Sequence, residues 1–133
     1  MTIDAFFDTN VVVYALSRDA NKAARSEALL AAGGVVSVQV LNEVSRVARG
    51  KMRKEWPDVH EILTGIRAKC AVVPITVEVH ELGLACAEKY QLNIFDSMLV
   101  AAAPLLGCTT LYSEDMHHGL VIDRLTITNP YRA

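Results

Sequence analysis

Apolar residues along this chain come in two alternating arrangements: short unbroken runs, and longer segments in which they recur every three or four positions. The run Ile3–Phe7 predicts a short buried strand ending at Asp8-Thr9-Asn10. Asn21–Ala32 carries a helical pattern closed by Gly33-Gly34, since glycine tolerates positive φ at a helix end. Val35–Val38 is apolar and β-branched, which predicts a strand or strand end, and the chain then runs into a helix through about Arg49, stopped by Gly50. Pro57 suits the first turn of a further helix that continues towards Lys69. Val72–Ile75 predicts another strand, after which Thr76 caps a helix over Val77–Tyr90. Asn93 caps a helix of Asp96–Leu106 with Gly107 as its stop, and Pro104 kinks or shortens that helix two turns beyond Asp96. Thr109–Tyr112 and Leu125–Thr128 complete the strands.

Strands separated by helical segments of this length imply right-handed βαβ crossovers and a mostly parallel sheet covered on both faces. The expected architecture is one three-layer α/β/α domain over residues 1–133, without repeats, low-complexity tracts or linkers. A composition of 52% hydrophobic and 21% charged residues excludes disorder as the default state. The longest apolar stretch free of charge, Met98–Cys108, is too short to cross a bilayer. The opening MTIDAFFDTN lacks a basic n-region and carries Asp4 and Asp8, so neither a signal peptide nor a membrane partner is expected. Cys70, Cys86 and Cys108 show no C-x-x-C spacing and sit beside apolar neighbours; buried free thiols in the cytoplasm are the expectation.

The formal net charge of −2 argues against a protein that holds nucleic acid by broad phosphate neutralisation, so any such role rests on a local patch or on bound metal. Four acids stand out for their apolar surroundings. Asp8 ends the first strand, where ligands gather in open parallel sheets; alone, it reads equally well as a turn residue capping the next helix. Glu43 falls on the edge of the arc shared by Val36, Val40, Val44 and Val47, as a carboxylate covering the core rim also would. Asp96 opens an apolar helix, where an acid complements the helix dipole and Asn93-x-x-Asp96 resembles a capping box. Asp115, with Ser113 and Glu114, follows another strand and could simply form a polar turn. Together, two strand ends and two helices can aim carboxylates into one crevice, where repulsion raises their pKa values unless a cation neutralises them. All-oxygen sites suit Mg²⁺ or Mn²⁺, which activate water and stabilise charge on a phosphodiester.

These segments are similar to those of the PIN-domain family, small ribonucleases that include the VapC-type toxins of toxin–antitoxin pairs. FFDTNVVVYAL resembles the family's opening strand and D-x-N segment, and SVQVLNEVSRV the segment carrying its second acid. NIFDSMLVAAA resembles the third-acid helix, and TTLYSEDMHHGLVI the fourth-acid region, all in order and at matching spacing. The resemblance implies a metal site of Asp8, Glu43, Asp96 and Asp115 supported by Thr9, Asn10 and Ser113. Glu114 adjoins Asp115, so either residue can be the fourth acid. It further implies Mg²⁺- or Mn²⁺-dependent endoribonuclease activity, a doubly wound sheet, a homodimer and an antitoxin partner.

Five of the thirteen basic residues lie within Arg46–Lys54, where Arg46, Arg49 and Lys51 can hold an RNA backbone or simply form a solvated helix end. The few aromatics give no interleaved stacking pattern, and Phe6, Phe7 and Phe95 read as core. His117-His118 lacks the i, i+4 spacing of a zinc pair and reads as loop. Two other classes share parts of this pattern. A receiver-type signalling module would need an acidic pair after the first strand and a late lysine, and no lysine follows Lys89. A haloacid-dehalogenase-like phosphatase would need a second carboxylate where Asn10 stands. A PIN-like scaffold that binds RNA or protein without cutting keeps all four acids and stays open.

Overall fold

A computed structural model describes residues 4–132; Ile3, assigned above to the first strand, lies outside them. The chain runs β1 (Ala5–Phe7), α1 (Thr9–Tyr14), α2 (Ala20–Ala32), β2 (Gly34–Ser37), α3 (Val38–Arg49), α4 (Trp56–Lys69), β3 (Cys70–Val73) and α5 (Val77–Tyr90). It continues through α6 (Ile94–Ala102), a 3₁₀ turn (Ala103–Leu106), β4 (Thr110–Tyr112), β5 (Val121–Ile122) and β6 (Leu125–Thr128). The sheet order is β3-β2-β1-β4-β6-β5, parallel except for β5, which pairs antiparallel with β6 at the edge. Phe6 and Phe7 occupy opposite faces of β1 and both are fully buried, so the sheet is covered on both sides as a parallel sheet requires. The fold is a three-layer α/β/α sandwich.

The connections fix which helices form which layer. Successive crossovers from β1 through β2 to β3 run one way along the sheet, and right-handedness places α1–α4 on one face. The return from β3 to β4 passes to the other side of β1, which puts α5 and α6 on the opposite face; these two helices pack chiefly on each other. Their close approach depends on Gly83, where a Cβ would sit 2.7 Å from Met98 Cε. The strand order therefore reverses at β1, and the carboxyl ends of β1 and β4 frame the crevice where open α/β sheets bind ligands.

Several elements differ from the sequence pattern for definable reasons. The third strand spans Cys70–Val73 rather than Val72–Ile75, because Pro74 cannot donate to a ladder. Residues 9–14 are helical although rich in valine, since the Asp8 carboxylate caps them. Val36 lies in β2 and not on the helix that carries Val40 and Val44. The helix containing Asp96 starts at Ile94 and tightens to a 3₁₀ turn at Pro104, with Gly107 at φ 75° closing it. The short β5 has no counterpart in the sequence reading; its hairpin to β6 turns on Asp123 at φ 54°.

Candidate active site

Asp8 stands one residue beyond β1. Its N–H still donates to the Tyr112 carbonyl (3.0 Å), so the β1–β4 ladder runs straight into the site. One carboxylate oxygen accepts the Thr9 N–H at 2.7 Å, which makes Asp8 the N-cap of α1. The other accepts the Ser113 hydroxyl at 2.7 Å, from the residue that follows β4. Asp8 is only 6% exposed. Burial pushes its pKa up from 3.8 to about 6 against the lowering effect of those two donors, and the charges of Asp96 and Glu43 push the same way as burial.

Three further carboxylates reach the same place from distant parts of the chain. Glu43, on the second turn of α3, accepts the Thr9 hydroxyl at 2.6 Å. Asp96 sits in the first turn of α6 and is held reciprocally by Asn93, whose Oδ1 accepts the Asp96 N–H and whose amide donates to Asp96 Oδ2, both at 2.8 Å. Its pKa is raised by burial and by the Asp115 and Glu43 charges, with Asn93 opposing. Asp115, in the loop after β4, accepts the Asn10 amide at 3.0 Å, while Asn10 Oδ1 takes the Glu114 N–H at 3.2 Å. Asn10 thus ties the start of α1 to that loop.

Asp8, Glu43, Asp96 and Asp115 line one cleft of about 440 Å³, whose wall also includes Arg46, Lys51 and Phe95. Among the described residues none of the four acids forms a salt bridge, and the one ion pair found, Lys22–Glu114, involves a different carboxylate. Neither do any three Asp, Glu, His or Cys side chains of the described residues draw together tightly enough to enclose an ion as they stand. Each acid is held instead by a neutral donor: Ser113, Thr9, Asn93 or Asn10. A set of hard oxygen donors with unneutralised negative charge matches Mg²⁺ or Mn²⁺ in chemistry. A larger groove of about 700 Å³ runs past Leu30, Ile62 and Ile66, but its acids Glu27, Asp58 and Glu61 are exposed.

The sequence model of the PIN domain matches residues 5–119. The chain belongs to the PIN-domain family. Solved structures with this fold include a toxin–antitoxin complex from Klebsiella pneumoniae, 20% identical over 98% of this chain and 100% of that one, with a TM-score of 0.72. The sarcin–ricin-loop-cleaving toxin VapC20 of Mycobacterium tuberculosis is 16% identical over 84% of this chain and 90% of that one, TM-score 0.66. VapBC2 of Rickettsia felis, solved with a DNA fragment from its promoter, is 18% identical over 96% and 98%, TM-score 0.61. No curated protein sequence matches the chain.

In this PIN domain the four singled-out acids, with Thr9 and Asn10, face one cleft, and Ser113 supports Asp8 from behind. Two residues behave otherwise. Glu114 does not line the cleft; its carboxylate is taken up by the Tyr14 hydroxyl and by Lys22 Nζ at 2.6 Å, which lowers its pKa. Asp115 is therefore the acid after β4 that faces the other three. Arg49 also departs: its guanidinium stacks on Trp56 at 4.5 Å and donates to the Lys54 carbonyl, leaving Arg46 and Lys51 as the cleft's cations. Two contributors escaped the sequence reading. Phe95 is 68% exposed at the cleft rather than core, because the first turn of α6 projects beyond the packed body of the helix. Asn93 read only as a cap, yet its amide also fixes the Asp96 carboxylate; the Asn-x-x-Asp spacing carried that signal. Of the two loop histidines, His118 accepts the Asn129 N–H through Nδ1 (2.9 Å) and anchors the chain after β6.

Proposed function

We propose that this chain is a Mg²⁺- or Mn²⁺-dependent endoribonuclease and the toxin of a type II toxin–antitoxin pair, held in check by an antitoxin protein in the cytoplasm. One observation carries the reading: four carboxylates from four separated segments face one cleft without a cationic partner among the described residues, and the most buried of them has its pKa raised to about 6. Family membership and the toxins of the same fold point the same way. Unpaired Cys70, Cys86 and Cys108 suit a reducing compartment. Among the described residues no helix is long and apolar enough to cross a membrane. The exposed Val77 and Leu84, which share one face of α5, offer an apolar surface for a homodimer. The chain is read as a single domain, since one sheet and its two helical layers take up the described residues.

Asp8, Glu43, Asp96 and Asp115 would hold the ion, which when bound supplies an activated water and neutralises charge on the phosphodiester. The protein's own groups do the positioning. Ser113 and the Thr9 N–H keep Asp8 ionisable despite its burial, Thr9 aims Glu43, and the paired hydrogen bonds of Asn93 fix Asp96. Asn10 locks the loop that presents Asp115. Arg46 and Lys51 stand on the same wall to receive flanking phosphates. The test is cleavage of a broad RNA panel by purified protein. Cleavage with Mn²⁺ or Mg²⁺, lost with EDTA and with Asp96→Asn, is expected. An intact panel in the presence of Mn²⁺ would instead make the chain a non-cutting scaffold.

A further inference from the structure

Lys22 of α2 makes the one salt bridge found among the described residues, and it makes it outside the acid-bearing cleft. Its Nζ donates to Glu114 at 2.6 Å and to the Tyr14 hydroxyl at 3.3 Å, while that hydroxyl donates in turn to Glu114. The ammonium also lies 4.5 Å from the centre of the Tyr14 ring and 5.5 Å from that of Tyr131, and these two rings meet edge to face. Tyr131 is itself pinned to α2: its hydroxyl bonds with that of Ser26, and Arg25 Nε donates to the neighbouring Pro130 carbonyl at 3.2 Å. An exposed ion pair contributes little when two long side chains must be ordered to make it. Here α1, α2, the loop after β4 and the chain after β6 converge on one ammonium and its carboxylate, so the fold itself orders the pair.

One peptide bond joins Glu114 to Asp115, and α1 grips that pair at two points. Asn10 and Tyr14, four residues apart, share a face of α1. Asn10 takes the Glu114 N–H at 3.2 Å and donates to Asp115 at 3.0 Å, while Tyr14 donates to the Glu114 carboxylate. Asp115 accepts from no other side chain among the described residues, so its direction follows from its backbone. The Asn10 bonds alone leave the loop free to turn about a single residue. The Glu114 carboxylate, fixed on Lys22, supplies the second point that stops this turning. We propose that Lys22 is a positioning residue for the cation site: by anchoring Glu114 outside the cleft it orients Asp115 into it. The proposal rests on the cation-dependent reading of the cleft given above, and Lys22 itself does not line that cleft.

The positive charge of Lys22 makes mere proximity and positioning predict opposite signs. A cation near an acidic cleft repels a second cation, so by Coulomb action alone its removal should tighten Mn²⁺ binding. Loss of the anchor should weaken it. Calorimetric titration of metal-free protein with Mn²⁺, without RNA, measures this in wild type, Lys22→Met, Glu114→Ala and the double variant. Both single variants are expected to bind Mn²⁺ more weakly, by about 2-fold to about 30-fold, the range for residues that act on a site through others. The double variant should bind no more weakly than the weaker single variant, since either change releases the same anchor. Thermal melts in EDTA accompany each titration. A merely structural ion pair would lower Tm and leave the Mn²⁺ affinity as in wild type, which overturns the positioning role. Tighter binding in Lys22→Met, or losses that add in the double variant, overturns it as well. Wild type that takes up no Mn²⁺ removes the cation-site reading itself, a failure distinct from the others.

Discussion

Replacing Asp8 with asparagine removes one negative charge from the most enclosed carboxylate of the cleft while keeping its shape. The gap between 3.8 and about 6 means that the ionised form is disfavoured in the fold by about 3 kcal/mol, at about 1.4 kcal/mol per tenfold step in proton affinity. Well below pH 3.8 the group is protonated both folded and unfolded and contributes nothing. As pH rises towards 6 the folded protein keeps a proton that the unfolded chain has lost, so stability falls; above that the full penalty applies. Asparagine escapes this penalty and still caps α1 through its Oδ1. The gain is less than 3 kcal/mol, because its amide meets a Ser113 oxygen that already accepts the Asp115 and Met116 N–H groups. A net gain of about 1–2 kcal/mol at pH 7.5 corresponds to a Tm higher by roughly 4–8 °C for a domain of this size. Thermal melts in EDTA from pH 4 to 8 should show the wild type losing stability through this window and Asp8→Asn remaining flatter, with little of its advantage left at pH 4. In excess Mn²⁺ the order should reverse, since only the wild type gains binding energy. A metal-free Asp8→Asn protein that melts lower than wild type at pH 7.5 would refute the reasoning and leave Asp8 as a helix cap alone.

Ser113→Ala removes a donor that lowers the Asp8 pKa, so the acidic limb of the pH–rate profile should move to higher pH while activity on the alkaline plateau changes less. Asn93→Ala deletes the α6 cap and should cost about 1 kcal/mol in urea melts. It should also weaken Mn²⁺ binding in calorimetric titration, because the Asp96 carboxylate loses its only described side-chain donor; Asn93→Ser, which restores the cap alone, should recover stability without recovering affinity.

The alternation of strands and helices was legible because burial imposes it locally: a run such as Ala5–Phe7 or Val35-Val36 is apolar throughout because both faces of the sheet are covered. Asp8 and Asp96 stood out for a related reason, since a carboxylate amid such residues is costly unless something holds it. What could not be read was decided at long range. Glu114 and Asp115 are neighbours in a polar turn, and only Lys22 and Tyr14, from α2 and α1, determine which of them leaves the cleft. Arg49 belongs to a basic cluster, yet Trp56 across the turn takes its guanidinium. Phe95 has Met98 and Leu99 at core spacing, so its pattern is that of a buried residue, yet it stands in the exposed first turn of α6 beside the cleft. Asn10 was marked only by the D-x-N resemblance, and the two bonds it makes depend on the β4 loop arriving opposite it.

The central claim is that these four acids form one cation site, and anomalous scattering from crystals soaked in Mn²⁺ tests it most directly. The account predicts a manganese peak within about 2.0–2.3 Å of carboxylate oxygens from both Asp8 and Asp96, lost in Asp8→Asn crystals soaked alike. No peak in the cleft at a Mn²⁺ concentration that supports RNA cleavage, or a peak held by other residues, would contradict it.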